Sequence, residues 1–301
     1  AKKSPTAPYY QRHRDELAEI IRDYQESRTA PGLFAQQRYA ALNTVEQGIT
    51  RHRLREYQME ALFLMDHLLG VAPTKPIIKD LLEVVDDAEH AKDKLKGRAP
   101  FMSFEMATGS GKTMLMGAAM YLLNQKHGIT DFLIITPAST DIYQKTIRNF
   151  SATGPESVWA EDTPFTYNLI TGDNYSQNLF YKPHNDANIF VFNIAKFGTN
   201  AVNTDKTWEN AVWKDEEGNS ISIKSYLQGR RLAIITDEAH HAQTPAALKI
   251  IKSFKPSLVL EFTATAVESV VSDTKAAKKS QTIIYKYDVR RFLEDGYGKL
   301  V

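Results

Sequence analysis

The sequence predicts an α/β fold in which a mostly parallel sheet carries helices on both faces, preceded by a helical N-terminal extension. Three observations predict it. Beyond residue 100, short β-prone runs alternate with helical segments; several runs are apolar throughout; and a glycine-rich turn joins one of them to a helix. Strands buried on both faces read as continuous apolar runs, whereas a sheet with one wet face alternates.

The first hundred residues have helical spacing. Leu17, Ile20, Ile21 and Tyr24 share one stripe, Leu54, Tyr57, Ala61, Leu64 and Leu68 another, and Ile78, Leu81, Leu82, Val85 and Ala88 a third. Turn signals at Ala30-Pro31-Gly32 and between Pro73 and Pro76 separate them. The stretch 79–96 alternates in charge sign and reads as the solvated face of a helix. Strands are then expected at 101–106, 132–136, 167–171, 189–194, 232–237, 258–265 and 282–287, with helices at 112–126, 140–150 and 245–254. The segment 198–229, with Trp208 and Trp213, has no clear period and is expected to leave the sheet.

Composition excludes several classes. The 301 residues are 43% apolar, enough for a sizeable core, and contain no cysteine, which rules out a disulfide scaffold or a Cys-ligated metal site. Absence of cysteine fits a reducing, cytoplasmic compartment. No apolar run approaches the ~20 residues of a bilayer-spanning helix, so no membrane association is expected. The basic start, Ala1-Lys2-Lys3-Ser4-Pro5, is followed by no apolar signal segment and reads as a flexible tip. A net charge of +1 leaves nucleic-acid binding to a local surface, not to the bulk field.

The segment Glu105-Met106-Ala107-Thr108-Gly109-Ser110-Gly111-Lys112-Thr113 follows a predicted strand and opens a predicted helix. In that context small residues let backbone N–H groups turn onto phosphate oxygens, and the helix start adds a positive dipole end. Lys112 can then reach the β and γ phosphates and the Thr113 hydroxyl can ligate Mg²⁺. Met106 stands where the strict pattern has glycine. A second element is the apolar run 232–236 ending in Asp237-Glu238-Ala239-His240-His241. Ligands of such sheets bind beyond the carboxyl ends of strands, where Asp237 can hold Mg²⁺ with Thr113 and Glu238 can orient and deprotonate an attacking water.

Together these two segments resemble motifs I and II of the superfamily 2 helicases and translocases in their DEAH-type spelling, a family that tolerates a residue other than glycine at Met106. Arg55-Glu56-Tyr57-Gln58 is similar to the upstream motif whose glutamine recognises adenine, Ile135-Thr136-Pro137-Ala138 to motif Ia, and Phe262-Thr263-Ala264-Thr265-Ala266 to motif III. The doubled histidine, the phrase Glu261-Phe262-Thr263-Ala264-Thr265, and Ile284-Tyr285-Lys286-Tyr287-Asp288 followed by Gly296-Tyr297-Gly298-Lys299 resemble the restriction subunit of type III restriction enzymes and related defence helicases. Type I restriction motors and DNA-repair translocases share this core.

The resemblance implies a RecA-like P-loop NTPase domain over 53–301 behind the extension 1–52. It implies ATP and Mg²⁺ as cofactors and DNA as the track. It also implies partners: a second RecA-like domain, which would supply arginines to the γ phosphate, and a DNA methyltransferase subunit. Gln228-Gly229-Arg230-Arg231 looks superficially like the arginine motif of that second domain, but it precedes Asp237 and is read as a basic turn. The chain is expected to be one domain of a longer polypeptide, nearly inactive alone and with no room for a nuclease. His240 is expected to link the nucleotide site to Thr263 and Thr265. Adjacent histidines without a third ligand argue against zinc at His240 and His241. Nucleic-acid contacts are expected at Thr136, Pro137 and Ser139, at the turn Thr171-Gly172-Asp173, and around Asn193 to Phe197 with Lys196 as the charge. Lys275, Lys278 and Lys279 read as a mobile polar loop. Two other readings remain open: a nucleotide-dependent DNA-binding switch that does not translocate, and a P-loop ATPase acting on non-nucleic substrates.

Overall fold

The computed structural model describes residues 8–29, 40–86, 97–176, 185–194, 211–214, 217–237, 245–264 and 282–297. Its strands in chain order are β1 (Leu82–Val84), β2 (Arg98–Met106), β3 (Asp131–Thr136), β4 (Tyr167–Thr171), β5 (Ala187–Asn193), β6 (Ala211–Lys214), β7 (Ser220–Ser222), β8 (Leu232–Asp237), β9 (Leu258–Thr263) and β10 (Ile283–Tyr287). Its helices are α1 (Tyr9–Thr29), α2 (Ala40–Gly48), α3 (Glu56–Leu69), α4 (Pro76–Lys79), α5 (Lys112–His127), α6 (Thr140–Asn149), α7 (Ile223–Gln228), α8 (Pro245–Ser253) and α9 (Val289–Glu294).

An eight-stranded sheet runs β1-β2-β9-β8-β3-β5-β4, with β10 also paired to β2. Every pairing in it is parallel except β1 with β2. The carboxyl ends of the parallel strands therefore share one edge. The continuous apolar runs have the cause expected of them. On β3, Phe132 and Ile134 join one apolar cluster while Leu133 and Ile135 join the other; on β8, Ala233 and Ile235 oppose Leu232 and Ile234. The first cluster includes residues of α1, α3 and α5, and the second includes residues of α7 and α8, so helices cover both faces.

The helices before β2 belong to the same core. Tyr24 of α1 stacks on Phe63 of α3 with ring centroids 4.0 Å apart, and the Tyr9 hydroxyl donates to the Ile77 carbonyl at 2.9 Å. One expectation is overturned here. Residues 78–86 do not continue a helix: α4 ends at Lys79, and β1 pairs antiparallel with the first half of β2, Leu82 opposite Pro100 and Val84 opposite Arg98. The second half of β2 carries β10 on that side, so β1 fills an edge that parallel strands leave bare. The predicted solvated helix over 79–96 fails with it as far as residue 86; 87–96 lie outside the described residues.

The excursion before β8 contains an antiparallel pair, β6 with β7, separate from the main sheet. The turn holding Arg230 lies at the opposite edge from the strand carboxyl ends. There the Arg230 Nε donates to Asp131 Oδ2 at 2.7 Å, and the Asn188 amide donates to Asp131 Oδ1 at 3.0 Å. Asp131 is fully buried at the first position of β3, and these donors compensate its desolvation. The turn is thus basic for a structural reason. Among the described residues no helix is long and apolar enough to cross a membrane.

Candidate functional site

The site is built where β2 gives way to α5. Met106 ends β2 fully buried in the apolar cluster, so its side chain faces the core and leaves the loop to its smaller neighbours. That is why the missing glycine costs nothing there. The Ser110 N–H donates to the Ala107 carbonyl at 3.1 Å, closing a tight turn through Thr108 and Gly109, both exposed. Gly109 and Gly111 have φ of +80° and +79°, the left-handed region that a side chain strains against. Gly111 is also the residue that caps α5, after which Lys112 and Thr113 form its first turn. The loop thus runs through two left-handed glycines into a helix start, the kind of backbone that binds a phosphate. Lys112 Nζ donates to the Met106 carbonyl at 3.3 Å, folded back across the loop. The Ser110 hydroxyl is buried and has no partner among the described residues.

Tyr57 and Gln58, in the first turn of α3, hold this loop from the side. The Tyr57 hydroxyl donates to the Ser110 carbonyl at 2.8 Å; the Gln58 amide donates to the Ser110 and Gly111 carbonyls at 3.2 and 3.1 Å. Gln58 Oε1 accepts the Arg55 N–H at 2.8 Å. Both amide protons of Gln58 are therefore engaged with the loop. In this geometry Gln58 braces the loop from the side. Burial pushes the Tyr57 phenol up, with the Arg55 guanidinium working against that shift, so Tyr57 acts as a neutral donor.

An aromatic group that sequence reasoning missed completes the surroundings. Tyr287 stacks on Tyr57 with centroids 3.8 Å apart, and the Tyr297 ring meets Tyr57 edge-on at 5.6 Å. The Arg55 guanidinium lies over the Tyr297 ring, 4.0 Å from its centroid. Nothing local in the sequence signals this meeting, because Tyr287 and Tyr297 reach the loop only through the parallel pairing of β10 with β2. The Ala107 N–H donates to the Tyr287 carbonyl at 2.9 Å and fixes that pairing at the loop itself.

Two strand ends lie beside the loop. β9 separates β2 from β8, with Thr263 opposite Glu105 and Asp237 opposite Phe262. At the spacing of adjacent strands, Asp237 stands roughly 10 Å across the edge from the end of β2. Thr263 is buried between them, and Asp237 is half-buried. Glu238, His240, His241, Thr265, Lys196 and the lysines at 275, 278 and 279 lie outside the described residues, as do the basic tip and the segment around Trp208.

Of the expected nucleic-acid contacts, Thr136 and Pro137 are buried, and the Thr136 hydroxyl donates to the Pro137 carbonyl at 3.4 Å. Their side chains are not open to a passing strand. Ser139 is exposed and caps α6, its Oγ accepting the Ile142 N–H at 3.4 Å. The Thr171-Gly172-Asp173 turn packs onto α6, where Tyr143 and Gln144 reach the Asp173 carboxylate at 3.4 and 3.5 Å.

A glycine-rich phosphate loop at the carboxyl edge of a parallel sheet, with an acid two strands away, defines a P-loop α/β nucleotide-binding domain. Residues 51–268 match the family described as type III restriction enzyme, res subunit, and the chain belongs to that family. A curated relative, the probable type III restriction-modification enzyme HindVIP Res subunit of Haemophilus influenzae, is 28% identical over 256 residues, covering 72% of this chain and 46% of that protein. The chain thus spans about half the length of the curated relative it matches. Among solved structures, the Sulfolobus solfataricus SWI2/SNF2 ATPase core in complex with dsDNA matches at 16% identity and a TM-score of 0.42, over 74% of this chain and 34% of that one. Membership of the family implies nucleotide use.

Proposed function

We propose that this chain is the ATP-binding part of a motor that couples ATP hydrolysis to movement along DNA in a type III restriction or related defence system. The observation that carries the reading is the loop itself. Two left-handed glycines lead into a helix start that carries Lys112, the residue types and backbone that a triphosphate loop requires, and Asp237 ends a strand on the same edge of the sheet. Within it, Thr108 to Thr113 cradle the phosphates, and Arg55, Tyr57 and Gln58 are the residues assigned to the rest of the nucleotide, with Gln58 on the adenine edge. Thr113 and Asp237 are an oxygen-donor pair suited to Mg²⁺. When bound, that ion would neutralise charge on the transferring phosphoryl group. Glu238 is the residue assigned to orient water, and His240, Thr263 and Thr265 those assigned to pass the nucleotide state to the DNA path.

DNA would be held by its backbone, through N–H groups at the start of α6 beside Ser139 and through Lys196. The domain proper starts near residue 53, with 1–52 as its helical extension. A second RecA-like domain in the full-length polypeptide would supply the arginines, and a methyltransferase subunit is the proposed partner. Titration calorimetry tests the site: Lys112→Ala is expected to abolish ATP binding, and Glu238→Gln to keep binding while stopping turnover. Normal turnover by both variants of the full-length polypeptide overturns the assignment. ATP-driven displacement of a triplex-forming strand by the full-length polypeptide separates a motor from a switch that only binds.

A further inference from the structure

Among the described residues β4 is the last strand on its side of the sheet. It pairs parallel with β5, and the Thr166 carbonyl just before it accepts the Ala187 N–H at 3.2 Å. Residues 166, 168 and 170 therefore direct their backbone groups at β5, while Tyr167, Leu169 and Thr171 direct theirs outward. An outer strand of this kind presents a row of donors and acceptors on which another strand can add.

The sequence of this edge favours such pairing. Thr166 to Thr171 reads Thr-Tyr-Asn-Leu-Ile-Thr, six residues without charge, proline or glycine, the composition that pairs with copies of itself. At the opposite edge β1 has only three residues, and its central Glu83 is paired with Lys252 at 3.0 Å, so shortness and charge discourage addition there. β4 has neither device. It has Asn174, just past its end. The Asn174 amide nitrogen donates to the outward Leu169 carbonyl at 3.3 Å, and its Oδ1 accepts the outward Thr171 N–H at 2.7 Å. A carbonyl on one side and an N–H on the other fix which way the amide points. One side chain thus makes the two bonds that a peptide unit of an added strand would make. The Thr171 carbonyl is also taken, by the N–H groups of Asn174 and Tyr175 at 3.2 and 2.9 Å.

We infer that Asn174 closes the outer edge of β4, standing in for a strand so that a second copy of this chain does not pair there. The turn that carries it is held on α6 through Asp173, which accepts from Tyr143 and Gln144, so the amide is kept against the strand. The inference does not depend on the ATP-binding reading, since no residue of the phosphate loop takes part in it.

Amide exchange and sedimentation on this chain test it together. Asn174→Ala is expected to speed exchange at the Thr171 amide by about tenfold or more. Across a concentration series it should also raise the weight-average mass toward twice that of the parent chain, reversibly on dilution. Asn174→Asp keeps an acceptor for Thr171, loses the donor to Leu169 and adds a charge to the edge, so it should associate less than Asn174→Ala. An Asn174→Ala chain whose mass follows the parent at every concentration overturns the inference, even if Thr171 exchanges faster. Association that persists on dilution and comes with a lowered urea midpoint overturns it too, because Asn174 would then be a support of the fold and not a guard of its edge.

Discussion

Gln58 and Gly111 are fitted to one another: the Gln58 amide donates to the Gly111 carbonyl at 3.1 Å, and a Cβ on Gly111 would stand 2.7 Å from that same nitrogen. Gly111 therefore answers two demands, a left-handed φ and the room that the strut needs. Gly111→Ala is expected to cost about 1–2 kcal/mol for backbone strain alone, plus a further cost from displacing Gln58. In a double-mutant cycle with Gln58→Ala, measured by denaturant unfolding, that further cost should disappear as a coupling of at least ~0.5 kcal/mol. Strictly additive losses would mean that the contact carries no energy.

Arg230 and Asp131 make a prediction at the opposite edge of the sheet. Arg230→Ala removes the charged partner of a fully buried carboxylate and leaves it, among the described residues, the neutral donors Asn188 and Thr130. Breaking a buried pair costs about 3–5 kcal/mol, and the partial exposure of Arg230 lowers the expectation to roughly 2–3 kcal/mol. Nucleotide affinity, measured below the unfolding transition, should stay at the parent value because the phosphate loop lies at the other end of the strands. A large loss of ATP binding in the folded variant would contradict the structural role assigned to this turn.

What the sequence made legible follows from how local each signal is. The strands at β3, β5, β8 and β9 were readable because burial on both faces leaves nearly continuous apolar runs, and the loop from Gly109 to Thr113 because backbone geometry and chemistry demand those residue types in sequence. β1 was not. Ile78, Leu81, Leu82 and Val85 fit a helical period, and the pairing with β2 overrode it, since an edge position decides strand formation more than intrinsic preference does. The contacts of Tyr297, Arg230 and Glu60 were equally hidden, because each has a partner far away in the chain.

Asp66 predicts an acid-side transition. It is buried on α3, which alone would raise its carboxyl, but hydrogen bonds from His127 and Lys126 outweigh burial and hold it below its ordinary value of 3.8. A depressed folded-state value gives stability that is present above about pH 4 and lost as pH falls through the folded value. Asp66→Asn should lower stability at pH 7 by roughly 1–3 kcal/mol and flatten the decline below pH 4, read from urea midpoints across pH. Parallel pH curves for variant and parent would refute the assignment. The contact joins the ends of α3 and α5, so the loss should also loosen the strut at their beginnings.

Glu261 predicts the opposite slope. It lies on β9 on the Val259 side of the sheet, buried, with the Ser103 hydroxyl donating to its Oε2 at 2.6 Å. Burial pushes its carboxyl up; Ser103 works against the shift and the nearby Glu83 reinforces it. For an acid raised in the folded state, ionisation is harder folded than unfolded, so stability falls as pH rises from about 4.5 through the folded value. Glu261→Gln removes that slope while keeping an acceptor for Ser103. The variant should match the parent near pH 4 and exceed it by on the order of 1 kcal/mol at neutral pH and above. Urea midpoints measured from pH 4 to 9 decide it. A variant that is less stable than its parent across the whole range would show that the ionised carboxylate is matched by its surroundings and that the strand tolerates the charge at no cost.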